Sequence, residues 1–223
     1  MNKRTALVFG ATGLTGNHLV RLLLNDSRYE KIKIFVRNKS DFLPDQKLEV
    51  HTVELSCPEK YAHLLKGDDL FCCLGTTIAK AGSKDAFRKI DYELPVKIAE
   101  TASANGVSSF LVISSLGANS KSSNFYLKTK GEIEESVQKF PFGKIAILRP
   151  SLLLGDRKEF RFGELASKGL MQALGFVFVG RLKKYKAIHA KFVAKAMIAI
   201  ANEEFSGKIF ESDSLQKIAR DRN

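Results

Sequence analysis

Apolar positions along the chain change their period in a regular way. Thr5 to Phe9 is a continuous apolar run, and after a glycine-rich turn the stretch Asn17 to Asn25 carries Leu19, Val20, Leu22, Leu23 and Leu24 on a helical period. That order reads strand, turn, helix. Lys31 to Val36 alternates and then turns apolar, Leu48 to Leu55 alternates again, and Asp69 to Leu74 is a fourth strand-like run that stops at Gly75. Between the last two, Pro58 to Leu65 has helical character, with proline near the first turn where its missing N–H costs nothing.

From Lys84 to Asn105 the apolar residues Phe87, Ile90, Leu94, Ile98 and Ala102 recur at spacings of three and four, and Asn105-Gly106 supplies a helix stop. Ser109 to Ile113 follows as a fifth strand, Phe125 to Phe140 as a helix, and Lys144 to Arg149 as a sixth strand halted by Pro150. Strands and helices alternating at this distance describe β-α-β units, which close into a doubly wound parallel sheet of the α/β class, a Rossmann fold. The last third is less regular. Gly163 to Phe178 and His189 to Asn202 have helical patterns and Gly207 to Phe210 is a short strand, which together read as a small C-terminal cap. The expected organisation is one domain over residues 1–223, with residues from about 151 onward contributing the cap.

Composition narrows the class. With 44% hydrophobic and 27% charged residues in 223, the chain can build one sizeable core, which excludes a disordered protein. Its 16 Gly and 5 Pro follow no period, which excludes a collagen-like or low-complexity chain. No apolar run approaches the ~20 residues of a membrane span, and Met1 to Thr5 lead straight into a strand without a signal-peptide pattern. The expectations are a soluble, cytoplasmic protein and no membrane partner. Three cysteines with no CxxC pair agree with a reducing compartment, and Cys72 and Cys73 read as buried strand residues.

A net charge of +12, concentrated beyond residue 110, favours an anionic partner: a phosphorylated cofactor, an acidic substrate or nucleic acid. The first strand ends in Gly10-Ala11-Thr12-Gly13-Leu14-Thr15-Gly16, a GxxGxxG pattern between a strand and a helix N-terminus. Gly10 allows a tight turn, Gly13 lets backbone approach a pyrophosphate, and Gly16 lets the helix pack closely. After the second strand, where Asp or Glu would hold a ribose 2′-hydroxyl, the chain has Val36-Arg37-Asn38-Lys39. Arg37 suits a 2′-phosphate, so NADP(H) is expected in preference to NAD(H); the alternative for Arg37 and Lys39 is plain surface charge.

The fifth strand leads into Ser114-Ser115, and Tyr126 and Lys130 follow four residues apart, on one face of a helix. A lysine ammonium beside a phenol lowers its pKa from about 10 toward the range of a general acid or base. A strand-end serine can hydrogen-bond the reacting oxygen.

With these features, Cys73-Leu74-Gly75-Thr76-Thr77, Ser114-Ser115-Leu116-Gly117-Ala118, Ser122 to Tyr126, Lys130-Gly131-Glu132, Leu148-Arg149-Pro150 and Gly155-Asp156-Arg157 make the chain resemble the short-chain dehydrogenase/reductase superfamily over nearly its whole length. The likeness is to its atypical branch, which includes the Tat-interacting oxidoreductase-like and NmrA-like proteins. The resemblance implies that Tyr126 is the catalytic acid/base, that Lys130 lowers its pKa and holds the nicotinamide ribose, and that Ser115, rather than Ser114, orients the substrate. It implies that Leu74, Gly75 and Thr76 line the cofactor and that Glu54 and Leu55 border the adenine. Thr12, Leu14, Thr15, Asn38, Ser114 and Pro150 complete the expected cofactor contacts. Two departures stand out. Leu74 to Thr77 replaces the superfamily's Asn-Ala-Gly turn, so its fourth catalytic member, an asparagine, has no counterpart by motif; and the short chain after strand six implies a small or open substrate pocket.

His18, His51, His63 and His189 have no metal-ligand spacing, and no metal is expected. Arg181, Lys183, Lys184, Lys186, Lys191 and Lys195 form a basic stretch, read as a solvated face or a docking surface for an anionic partner. Sparse aromatics there argue against specific nucleic-acid binding. The leading expectation is an NADP(H)-dependent oxidoreductase acting on a small carbonyl or alcohol, as a monomer or homodimer. The alternative is an NADP(H) sensor that binds a protein partner without turnover.

Overall fold

The computed structural model describes residues 3–155 and 184–221. Seven strands form one sheet: β1 (Arg4–Phe9), β2 (Tyr29–Val36), β3 (Leu48–Thr52), β4 (Asp69–Cys72), β5 (Ser109–Ile113), β6 (Lys144–Arg149) and β9 (Ile209–Glu211). Their order is β3-β2-β1-β4-β5-β6-β9, and every pair is parallel. A two-stranded parallel pair, β7 (Leu153–Leu154) and β8 (Ile188–His189), lies apart from it. The α-helices among the described residues are α1 (Leu14–Leu24), α2 (Ile78–Ala81), α3 (Lys84–Arg88), α4 (Leu94–Ala104), α5 (Phe125–Val137), α6 (Ala190–Asn202) and α7 (Ser212–Arg220).

Strand alternation sorts the core into two layers. On one face Ala6, Val8, Ile32, Ile34 and Phe71 pack with Leu19 and Leu23 of α1, Val193 and Met197 of α6, and Leu215 of α7. On the other, Leu7, Phe9, Phe35, Leu70 and Phe110 pack with Ile98 and Ala102 of α4 and Ile133 and Val137 of α5. The chain leaves β1 toward β2 on one side, while β4 continues on the other. The crevice at the carboxyl ends of β1 and β4 is therefore the switch point, where ligands of open α/β sheets bind.

Two parts of the sequence reading need correction. The helix expected over Lys84 to Asn105 is present but not regular: α3 and α4 are joined by a π-helical turn, Lys89–Glu93, in which Asp91 is buried. The segments His189 to Asn202 and Gly207 to Phe210, assigned above to the cap, belong to the main body. Alanine-rich α6 buries Ala190, Val193, Ala194 and every residue from Ala196 to Ala201, because it packs between the sheet and α1 and α7, and a helix apolar nearly all round has to be interior. β9 is the sheet's seventh strand. The helix expected over Gly163 to Phe178 lies outside the described residues.

Candidate active site

The glycine turn is built from backbone. Gly10 has φ +76°, a left-handed conformation that side chains rarely adopt, and a Cβ there would come within 2.5 Å of the Cys73 carbonyl oxygen. A Cβ on Gly16 would lie 2.1 Å from the Gly10 carbonyl oxygen, so α1 starts pressed onto the turn. The Gly13 amide donates to the Gly10 carbonyl at 2.9 Å, and α1 has no acidic residue in its first turn. Its leading amides have no partner within the helix and carry the positive end of its dipole toward the crevice, a setting for a pyrophosphate.

The turn opens on a groove of about 1180 Å³, large enough for a dinucleotide. Gly10, Thr12, Gly13, Arg37, Glu54, Leu55, Leu74, Gly75 and Thr76, all expected at the cofactor, line it. Leu14, Thr15, Gly16 and Asn38 do not. Leu14 packs toward Gly155, where a Cβ would meet Leu14 Cδ1 at 2.5 Å, Gly16 is under the turn, Thr15 is buried, and Asn38 is exposed beyond the end of β2. Glu54 is ion-paired with Lys60 at 2.6 Å, and that hydrogen bond holds its carboxyl below its usual range. Lys89, Glu93 and Lys97 supply an opposite wall that the sequence reading did not name. Glycine cradle and helix N-terminus together fit a dinucleotide.

Leu74, Gly75 and Thr76 also line a second cavity of about 40 Å³, which adjoins the groove and gathers Ser114, Ser115, Tyr126, Lys130 and Pro150. Helix α5, which carries the tyrosine and lysine, starts where the Asn124 side chain accepts the Leu127 amide at 3.1 Å. Gly131 admits the preceding loop against the helix, since a Cβ there would be 2.1 Å from the Ser120 nitrogen. The Tyr126 ring packs on buried Phe87 of α3 at 5.6 Å between centroids.

Lys130 is buried, and its Nζ lies 2.7 Å from Asp91 Oδ1. Burial works against the ammonium, but the Asp91 charge, with Tyr126 beside it, outweighs that and holds the lysine pKa above its ordinary value. The other Asp91 oxygen accepts the Thr76 amide at 2.8 Å, tying the lysine to the loop that borders the cofactor groove. Asp91 was not singled out from sequence, although it lies four residues after Phe87 and three before Leu94, on the apolar side of the helical period, where a carboxylate is a visible signal.

The two serines differ. Ser114 donates its hydroxyl to Glu134, which also accepts the Arg149 guanidinium at 2.9 Å and 2.5 Å. Among the described residues the Ser115 hydroxyl makes a long contact of 3.4 Å to the Leu116 carbonyl. Glu134 was also missed, although Tyr126, Lys130 and Glu134 fall four apart on one helical face, a visible signal. Of the basic stretch, Lys184 pairs with Glu211 at 3.0 Å, while Arg181 and Lys183 lie outside the described residues.

The family model described as NAD(P)H-binding matches residues 10–204. Protein HTATIP2 of Rattus norvegicus is 36% identical over 177 residues, 78% of this chain and 73% of its own length. Protein FMP52, mitochondrial, of Candida albicans is 32% identical over 232 residues, 98% of this chain and all of its own. Among solved structures, the ADP-L-glycero-D-manno-heptose-6-epimerase of Helicobacter pylori superposes with TM-score 0.67 at 17% identity, covering 99% of this chain and 82% of the epimerase. MoeE5 in complex with UDP-glucose and NAD gives TM-score 0.68 at 16% identity, over 97% and 81% of the two chains. At these identities the structural likeness speaks for the fold alone. The expectation of a cytoplasmic address does not stand, because FMP52 relatives from Candida albicans, Candida glabrata and Debaryomyces hansenii are named mitochondrial. No helix among the described residues is long and apolar enough to cross a membrane.

Proposed function

The chain belongs to the NAD(P)H-binding family of Rossmann proteins, and from that premise we propose that it is an NADP(H)-dependent oxidoreductase of the short-chain dehydrogenase/reductase type acting on a small carbonyl or alcohol. The observation that carries this reading is the convergence of Ser115, Tyr126 and Lys130 on one small cavity that opens beside the dinucleotide groove at Leu74 to Thr76.

The parts divide the work. Amides of the glycine turn and of the first turn of α1 receive the pyrophosphate, and Arg37 takes the 2′-phosphate with its planar fork. Glu54 and Leu55 border the adenine, Leu74 to Thr76 and Pro150 flank the nicotinamide end, and Lys130 reaches the ribose. When bound, the dinucleotide supplies a hydride to the substrate carbon or removes one from it. In reduction, Tyr126 passes its phenolic proton to the carbonyl oxygen as negative charge develops there, so the substrate gains one hydride and one proton and the phenolate is reprotonated from solvent. In oxidation the phenolate takes the alcohol proton. Ser115 hydrogen-bonds the same oxygen and keeps it within reach of the phenol. Ser114, whose hydroxyl is committed to Glu134, holds the end of β5 in place.

The test is NADPH oxidation against a panel of aldehydes, ketones and quinones, with Tyr126→Phe as the control. Substrate-dependent turnover that Tyr126→Phe abolishes supports the reading. Tight NADPH binding with silence across the panel would move the assignment to the dinucleotide sensor.

A further inference from the structure

Beyond β6 the main chain leaves the sheet at the wall of the small cavity, and side chains take over from the ladder. The last pairings of β6 are Leu148 with Ile113 on one side and Arg149 with Glu211 on the other. Pro150, which lacks an amide proton, offers only its carbonyl, and that accepts the Leu116 amide at 3.1 Å. Ser151 finds its partner 61 residues later in the chain: its amide donates to the Ser212 hydroxyl oxygen at 3.1 Å. The two hydroxyl oxygens lie 2.9 Å apart, and that of Ser151 is 2.5 Å from the Lys186 carbonyl oxygen. A carbonyl cannot donate, so the Ser151 proton goes to Lys186 and the Ser212 proton goes to Ser151. Ser212 thus accepts from Ser151 and donates back to it, and the link runs from α7 through the end of β6 to the stretch before β8.

Ser212 opens α7, a place where a serine hydroxyl commonly bonds the amides of its own helix. This one is fully buried and is turned to Ser151 instead. It lines neither cavity, whereas Pro150 and Ser151 line the small one together with Ser115, Tyr126 and Lys130. We propose that Ser212 is a positioning residue for the dinucleotide: acting through Ser151, it holds Pro150 and Ser151 where the nicotinamide end docks, while touching neither cofactor nor substrate itself. This rests on the reading of Pro150 as a flank of the nicotinamide. Deleting the Ser212 hydroxyl takes the acceptor from the Ser151 amide and the donor from the Ser151 oxygen. An amide without a partner is drawn to water, and the cavity wall moves with it. On the same reading the adenine end lies at the ends of β2 and β3, separated from β6 by β1, β4 and β5, so it shares no bond with this link.

The experiment compares two ligands and needs no substrate. The full-length protein is titrated calorimetrically with NADPH and with adenosine 2′,5′-bisphosphate, which carries the adenine end of the dinucleotide and lacks the nicotinamide end. Ser212→Ala should weaken NADPH by about fivefold or more, the equilibrium worth of one hydrogen bond, and leave the bisphosphate unchanged. Ser151→Ala keeps its amide on Ser212 and should show the same selectivity to a smaller degree. Because both hydroxyls act through one link, Ser151→Ala/Ser212→Ala should lose less than the product of the two single losses. NADPH affinity unmoved in Ser212→Ala overturns the inference. So does a parallel loss for both ligands, which is what a residue serving only overall stability would give. If Ser212→Ala does not fold, Ser151→Ala decides alone by the same comparison. Wild-type protein that binds no NADPH rejects the reading above and this inference with it, whereas wild-type binding that Ser212→Ala leaves intact rejects only the role of Ser212.

Discussion

The two halves of the crevice are made of different material. The dinucleotide half is a turn of backbone: Gly10, Gly13 and Gly16 lie within seven consecutive residues, and what they place is amide donors and a helix dipole. The half that gathers Tyr126 and Lys130 is made of side chains from separated segments, with Lys130 of α5 held to Asp91 of the π turn, and Ser114 of β5 held through Glu134 of α5 to Arg149 of β6. Backbone recognition is local and tolerates no added Cβ. Side-chain recognition is distributed, and it depends on buried charges staying paired.

That contrast breaks most severely at Glu134. Glu134→Ala would leave the Arg149 guanidinium and the Ser114 hydroxyl without their partner, and removing one side of a buried ion pair costs about 3–5 kcal/mol. Arg149 is partly exposed, so the lower end of that range is expected in urea denaturation. A loss below about 1 kcal/mol, the size of a surface pair, would show that this half is not held by its charge network.

Tyr126→Phe keeps the ring on Phe87 and deletes the proton. Turnover should fall by about 10² or more, the size of a general acid/base contribution, with NADPH affinity by fluorescence titration unchanged. A parallel loss of affinity would mean that the two halves are not separable.

Arg37→Ala tests a side chain, rather than the backbone, of the dinucleotide half. It should weaken NADPH by about 1.5–3 kcal/mol, the worth of a hydrogen bond to a charged group, and leave NADH nearly unaffected. Equal losses for both dinucleotides would remove the 2′-phosphate assignment.

Gly16→Ala is the smallest change. Its methyl meets the Gly10 carbonyl, and overpacking of this kind costs about 1–3 kcal/mol. It should lower the melting temperature and displace the turn, weakening NADPH and NADH alike, in contrast to Arg37→Ala. An undisturbed melting temperature would mean that α1 can shift away from the turn at little cost.

Much of this architecture could be read along the chain, and the reason is locality. β5 and β6 were placed to the residue, because a buried parallel strand is a short apolar run with sharp ends. Of the residues expected from sequence, Gly10, Thr12 and Gly13 line the groove and Ser115, Tyr126 and Lys130 line the adjoining small cavity, since short motifs keep their spacing wherever the fold puts them. The reading failed where the partner was distant. Asp91 shares the apolar side of the helical period with Phe87 and Leu94, but only the fold shows that its partner there is a lysine 39 residues later in the chain. The amphipathic pattern of His189 to Asn202 did not reveal that α6 is a core helix, because its alanines are neutral in a moment argument and become informative only when a second layer covers them.

The sequence by itself determined the alternation of strand and helix, the conformation of the glycine turn and the spacing of Tyr126 and Lys130, all of which follow from sterics and period within a few residues. Only the tertiary structure decided which carboxylate faces the lysine, which serine is tied to Glu134, and that α6 and β9 complete the main body. Those are pairings between elements distant along the chain, and burial selects them by requiring every enclosed charge and apolar face to find a partner.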